Sequence, residues 1–362
     1  MSAAGLPRYA FVGAGGIGAS LGTWMARGGC DVTFVDRWRD HVDAINTHGM
    51  RVQGSRGDHV VQVPAITPDR LAGLAPLDVV VVAVKAQDTR AALEQCLPYS
   101  TPATTFVSMQ AGMNLWTFEA VVGRERVVGA DPNYGAVIVA PGCLETGFPN
   151  YIIVGRLDGT FTPRLRGLQR DFSLWTPTMM TGNIFGTVWA KFVYGSQIMT
   201  TAVTDRTSGE ALLPRAHRLV AAAMVREAMR VSDALRIELE PFDFFDPEPY
   251  RIETAGGVEG VLFWIEHSWP RHEVFRAHGR HRYALTGSIW RWDMVAQQRK
   301  SEATVFTETL REAARRAGES IPLNEGLLAI FQEIESGRRP MDDGNYRDLM
   351  ALVEKEGQAL EE

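Results

Sequence analysis

Gly13-Ala14-Gly15-Gly16-Ile17-Gly18 follows an apolar run, Tyr9-Ala10-Phe11-Val12, and opens a helical pattern from Ala19 to Gly28. That order leaves few folds open. A loop that brings backbone N–H groups up to a pyrophosphate cannot carry side chains there, and the helix behind it adds partial positive charge for the anion. A second strand pattern, Asp31-Val32-Thr33-Phe34-Val35, ends at Asp36, about 20 residues on, where such folds read an adenine ribose. The pattern predicts a dinucleotide site formed by Gly13, Ala14, Gly15, Gly16, Ile17, Gly18 and Asp36. The competing account, a glycine-rich turn serving only tight packing, is disfavoured by the strand–loop–helix–strand–acid order.

The chain has 362 residues, 45% of them hydrophobic and 22% charged, enough for about two domains with sizeable cores. A net charge of −6 and a pI near 5.8 argue against nucleic acid as a partner. An apolar run such as Val79 to Val84 is far below the roughly 20 residues of a membrane helix. Met1 to Pro7 lacks a basic segment followed by an apolar core, so no secretory signal is expected. Cys30, Cys96 and Cys143 form no CxxC pair and suit reduced thiols of a cytoplasmic protein. His267, His272, His278 and His281 cluster in sequence without helical HxxxH spacing or an accompanying cysteine, so no metal site is expected.

Strand and helix patterns alternate up to residue 182. Short strands are expected at Arg51–Gln53 and His59–Val63, on either side of a Gly-Ser-Arg-Gly turn. Leu77 to Val84 is an apolar run rich in β-branched residues, the pattern of a strand buried on both faces of a parallel sheet. Further strand candidates are Ala103–Ser108, Arg126–Gly129, Ala136–Ala140 and Tyr151–Val154. Beyond them the periodicity turns helical, over Ile184–Thr204, Pro214–Arg236, Val258–His267, Ser301–Ala317 and Leu323–Ser336. The fold class is therefore α/β: an N-terminal Rossmann-type doubly wound sheet in residues 1–182, followed by an all-helical C-terminal domain in 183–362. The helical part would carry substrate contacts and leaves room for a homodimer.

Lys85 follows the buried strand, and ligands of open α/β sheets lie beyond the carboxyl ends of strands. A solvated lysine starting the next helix is the plainer alternative. Gln110, after the next strand, suits either a cofactor hydrogen bond or an amide that satisfies the loop backbone. Lys191 sits in Val188-Trp189-Ala190-Lys191-Phe192-Val193-Tyr194. A lysine in such company needs a partner or a water-filled cleft, and partial desolvation suits it to proton transfer. Snorkelling from an amphipathic helix is the alternative.

In order and spacing these pieces resemble the ketopantoate reductase (2-dehydropantoate 2-reductase) family. The resemblance rests on the Gly13–Gly18 loop, Val84-Lys85-Ala86, Gln110-x-Gly112, Trp189-x-Lys191, Ser208-Gly209-Glu210, Arg299-Lys300-Ser301-Glu302, and Gly318 followed by Pro322-x-Asn324. It implies hydride transfer from NADP(H) or NAD(H) to the keto carbon of a small carbonyl substrate, a 2-oxo acid or related ketone. Lys191 would protonate the alkoxide, with Glu302 placing substrate or lysine. Lys85 and Gln110 would contact the cofactor, Arg37 would hold the 2′-phosphate of NADP, and Ser288 would bind the substrate carboxylate. Asp36, favouring NAD, stands beside Arg37, and the resemblance tips the balance toward NADP(H).

By the same resemblance, Ala111, Gly195 and Met199 stand where the family often carries asparagines that would face the substrate. The same chemistry on a less polar or bulkier substrate is the expectation. Phe185, Trp189, Phe192 and Trp290 are candidate pocket walls, although helix aromatics more often fill cores. Oxidation of a 3-hydroxy acid or alcohol by the same two-domain architecture, or a non-catalytic dinucleotide sensor, are the rival readings.

Overall fold

A computed structural model describes residues 7–110, 113–147, 150–242, 245–251, 259–263, 265, 289–291, 294–295, 298 and 300–356. The chain divides into two compact units, Met1–Val188 and Trp189–Glu362.

In the first unit, strands β1 (Arg8–Val12), β2 (Asp31–Val35), β5 (Ala65–Ile66), β6 (Leu77–Val82), β7 (Ser100–Met109), β8 (Val127–Asn133), β11 (Tyr151–Arg156) and β12 (Thr178–Met180) form one sheet. Its order is β12-β11-β8-β7-β6-β1-β2-β5. All neighbours run parallel except β8 and β11. From β1 the chain steps outward to β2, then returns to add β6 on β1's other side. Right-handed crossovers on the two sides put the connecting helices on opposite faces, with a crevice at the β1/β6 switch point. Accordingly, α1 (Gly16–Arg27) touches α5 (Pro163–Phe172), while α3 (Thr89–Cys96) pairs with α4 (Leu115–Val122). Val79, Val80, Val81 and Val82 are all fully buried, each contributing roughly 1.5–3 kcal/mol of transfer free energy. This is why Val79–Val82 of β6 reads as an unbroken apolar run.

A second sheet, of order β4-β3-β10-β9, was not expected. It joins β3 (Met50–Gly54), β4 (His59–Val61), β9 (Ala136–Ala140) and β10 (Cys143–Thr146). Strand β10 pairs in parallel with β3 and antiparallel with β9. Only Leu144 and Thr146 of β10 are buried, too brief an alternation to read from sequence. The sheet packs on α1. There Trp24 and Trp175 stack at 5.8 Å, with the Arg56 guanidinium over both rings.

In the second unit the described residues form helices, with no strand beyond an isolated bridge between Phe242 and Phe245. Helix α6 (Ile184–Thr200) runs into it from the first unit, ending four residues short of the expected Thr204 in a 3₁₀ turn, Thr201–Val203. After the short α7 (Ser208–Ala211), helix α8 (Arg215–Ala234) starts with Pro214 as N-cap. Helix Ala303–Ala317 ends at Gly318, left-handed at φ 72°, and Pro322–Glu335 starts on its proline. Helix Gly344–Lys355 lies past the last periodic segment recognised in the sequence. Residues 259–263 and 265, within the expected Val258–His267 helix, are helical.

The fully buried Glu227 of α8 accepts the N–H groups of Leu323 and Asn324 at 2.9 and 2.8 Å and the Asn324 amide at 2.8 Å. Burial pushes its pKa up against the pull of those donors. The Pro322-x-Asn324 motif is thus the seat of a capped helix start. Ser208-Gly209-Glu210 is likewise structural, because Thr207 and Glu210 form a capping box at the start of α7.

Cys96 is buried and Cys30 and Cys143 half-buried, all three as free thiols. No helix of the described residues is long and apolar enough to cross a membrane, and no group of three metal-ligating side chains occurs among them. The four clustered histidines, His267 to His281, lie outside the described residues.

Candidate active site

At the switch point each glycine meets a different neighbour. Gly13 has φ +100°, and a Cβ there would lie 2.9 Å from the backbone of Ala83 and Val84. A Cβ on Gly16 would reach 2.0 Å from the Ala136 carbonyl oxygen, and one on Gly18 2.2 Å from that of Gly13. Those three glycines are demanded by the protein's own backbone. Gly15 is different: a Cβ there meets nothing within 4 Å. It stands at the N-cap of α1 with no side-chain cap. Bare backbone at a helix N-terminus, facing open space, is the form of an anion cradle. The residues present therefore fit the pyrophosphate of a dinucleotide.

Ala14, between these glycines, is held at both ends. Its N–H donates to Asp36 Oδ2 at 2.7 Å, while Asp36 Oδ1 accepts the Trp38 N–H at 2.9 Å. Asp36, at the carboxyl end of β2, thus pins the loop. The Ala14 carbonyl lies 3.1 Å from Nε2 of His41, whose Nδ1 accepts the Gly142 N–H at 2.9 Å. Because Nδ1 accepts, Nε2 carries the proton and donates. Burial holds the His41 pKa below the usual histidine value, which keeps this neutral tautomer. His41 therefore ties the loop to the β9–β10 turn of the small sheet. Sequence reasoning missed it, since its partner lies 101 residues away.

Arg37 is 81% exposed and lies 3.4 Å from Asp88. The loop after β2 therefore faces the turn after β6 across the sheet edge. Lys85 is half-buried three residues past β6, its carbonyl accepting the Asp88 N–H at 2.9 Å. Gln110 donates from Nε2 to the Val84 carbonyl and to Thr89 Oγ1, both at 2.8 Å, bracing the segment that presents Lys85. Its Oε1 is buried and meets no donor among the described residues. Ala111 and Ser288 lie outside the described residues.

In the second unit Lys191 is half-buried on α6, where Trp189 and Phe192 on either side are buried. Those two aromatics belong to the core, whereas Phe185 and Trp290 are half-buried. Gly195, one turn beyond Lys191, is closed off: a Cβ there would lie 2.7 Å from the Phe306 ring and 3.6 Å from Trp290. Phe306 also stacks on Phe192 at 4.2 Å. Met199, a turn further, is fully buried. An aromatic ring from the neighbouring helix thus fills the space that an amide at 195 would need. Phe306 went unnoticed in the sequence because only packing reveals it.

Glu302 is half-buried at the N-cap of helix Ala303–Ala317, with no capping bond from its side chain. Ser301 Oγ instead contacts the Ala303 N–H at 3.3 Å and donates to Glu335 at 2.7 Å. Capping therefore does not account for the Glu302 carboxylate.

A doubly wound unit with a bare-backbone anion cradle, followed by a helical unit, is an architecture of NAD(P)-dependent oxidoreductases. The ketopantoate reductase PanE/ApbA profile matches residues 9–159 and its C-terminal counterpart residues 183–335. The chain belongs to the ketopantoate reductase family. It is similar to a 2-dehydropantoate 2-reductase of Mesorhizobium japonicum, 25% identical over 349 residues, covering 89% of this chain and 96% of the relative. In structure it is similar to a PanE/ApbA family ketopantoate reductase from Ralstonia eutropha (TM-score 0.73, 22% identity, 91% and 99% of the two chains covered). It is also similar to D-mandelate dehydrogenase in complex with NADH and anilino(oxo)acetate (TM-score 0.76, 17% identity, 92% and 99% covered).

Proposed function

We propose that this chain is an NADPH-preferring reductase of 2-oxo acids whose side chains are less polar or bulkier than that of ketopantoate. The bound reduced nicotinamide supplies hydride. In this reading the Gly13–Gly18 loop holds the pyrophosphate, Arg37 the 2′-phosphate, and Lys85 and Gln110 the rest of the cofactor. The Lys191 ammonium stabilises negative charge growing on the carbonyl oxygen and then gives that oxygen its proton. Glu302 places the lysine or the substrate, and Ser288 and Ala111 border the substrate.

The closure of position 195 by Phe306 carries the substrate class. Where the family resemblance implies an amide for a polar group of the substrate, this chain offers a glycine covered by an aromatic ring. A site lacking a hydrogen-bond partner does not favour a substrate that needs one. Two observations support NADPH: Asp36 is engaged with the backbone N–H groups of Ala14 in the glycine loop and Trp38 in its own, and Arg37 is largely exposed. The similarity to D-mandelate dehydrogenase supports an aryl group as one such substrate side chain.

The test is to follow loss of NADPH and NADH absorbance with ketopantoate and with 2-oxo acids bearing aliphatic and aromatic side chains. Faster turnover of the apolar acids with NADPH is expected. No carbonyl-dependent oxidation of either cofactor would leave the sensor reading in its place, and a preference for ketopantoate would refute the substrate class.

A further inference from the structure

Trp38 is 44% exposed, yet it is among the most firmly held residues of its loop. Its N–H donates to Asp36 Oδ1 at 2.9 Å, and its carbonyl accepts from the N–H groups of His41 and Val42, each at 3.1 Å. Its indole lies on the His41 ring, centroids 5.1 Å apart and planes within 10°. The imidazole beneath is itself fixed, 1% exposed and bonded through both nitrogens to Ala14 and Gly142. An exposed indole immobilised in this way loses little further freedom when a planar ligand stacks on it. The ring also stands in the right place. It follows Asp36 and Arg37 directly, at the carboxyl end of β2, where the Arg37–Asp88 contact marks the rim shared with the turn after β6.

We propose that Trp38 is the stacking platform for the purine ring of an adenosine 2′,5′-bisphosphate moiety whose 2′-phosphate is held by Arg37. The proposal rests on the reading of the glycine loop as a dinucleotide site. Tryptophan offers a wide π-face, and stacking needs no hydrogen-bond match to the base. The platform is built on the same histidine that clamps Ala14, so adenine placement and loop geometry share one support.

Binding of adenosine 2′,5′-bisphosphate and of reduced nicotinamide mononucleotide is measured by calorimetry on the wild-type protein, Trp38→Ala and Trp38→Phe. Trp38→Ala is expected to weaken the bisphosphate about tenfold, with Trp38→Phe recovering most of the loss and the mononucleotide unaffected in both. Trp38→Phe keeps a ring over His41 and guards against a folding defect. The difference between its bisphosphate-induced fluorescence quenching and that of the wild type reports stacking on the indole itself. Equal bisphosphate affinity in all three proteins, with no such difference in quenching, overturns the platform while leaving the dinucleotide reading intact. A wild-type protein that binds NADPH or NADH but no bisphosphate overturns the platform alone, and one that binds none of the three overturns both.

Discussion

Gly15→Ala and Gly16→Ala add the same methyl group one residue apart, into very different surroundings. At Gly15 the backbone (φ −73°, ψ −174°) suits alanine and the new Cβ has nothing within 4 Å. Lost unfolded-state entropy stabilises the variant while the poorer N-cap destabilises it, so the net change stays within about 1 kcal/mol. For a unit of this size that is a shift under about 4 °C. At Gly16 the Cβ would lie 2.0 Å from the Ala136 oxygen and 2.6 Å from its carbon, both backbone atoms of β9. Moving a strand costs at least about 3 kcal/mol, a drop of roughly 6–12 °C. Binding should respond in the opposite sense. The Gly15 methyl group stands in the cradle, and losing one charge-assisted bond to a phosphate, at about 1.5–3 kcal/mol, weakens the cofactor about 10- to 100-fold. Calorimetric melting of the ligand-free proteins, with titration of NADPH and NADH into each, reads both quantities. A Gly15→Ala protein that binds cofactor like the wild type, or a Gly16→Ala protein that melts like it, refutes this assignment of the glycines.

Other predictions concern the supports of the site. His41 has its folded pKa lowered by burial, so its contribution is present above the unfolded value of about 6.5 and is lost as pH falls through the folded value. The wild-type melting temperature should therefore fall on acidification below about pH 6.5, with a smaller slope in His41→Phe; equal slopes would contradict the clamp. Gly195→Ala should cost about 1–3 kcal/mol by overpacking Phe306. Pairing it with Phe306→Leu should recover at least about 0.5 kcal/mol of the summed losses in a urea-unfolding cycle, and strict additivity would show that the two side chains do not meet.

The dinucleotide unit was legible because its signals are local and strong: four buried valines in β6, and the glycine loop between β1 and α1. What escaped depends on pairing at long range. Strand β10 is a four-residue segment defined only by β3 and β9, and β12 is shorter still. The role of His41 exists only once Gly142 is brought to it, and that of Phe306 only once the helices pack. Of the two uses foreseen for Gln110, the structural one is seen, its amino group bracing the backbone before Lys85. Part of the family motif proved architectural, since Glu210 and Asn324 serve helix starts. Glu302 stands at a helix start without a capping bond from its side chain.

The proton donor is the centre of the account, and one comparison reaches it. Turnover of the best 2-oxo acid at saturating reduced cofactor is measured for the wild type and Lys191→Ala, with cofactor affinity determined alongside. The account predicts a fall of about 10²- to 10⁴-fold in turnover at unchanged cofactor affinity; a Lys191→Ala protein that keeps most of the wild-type rate would contradict it.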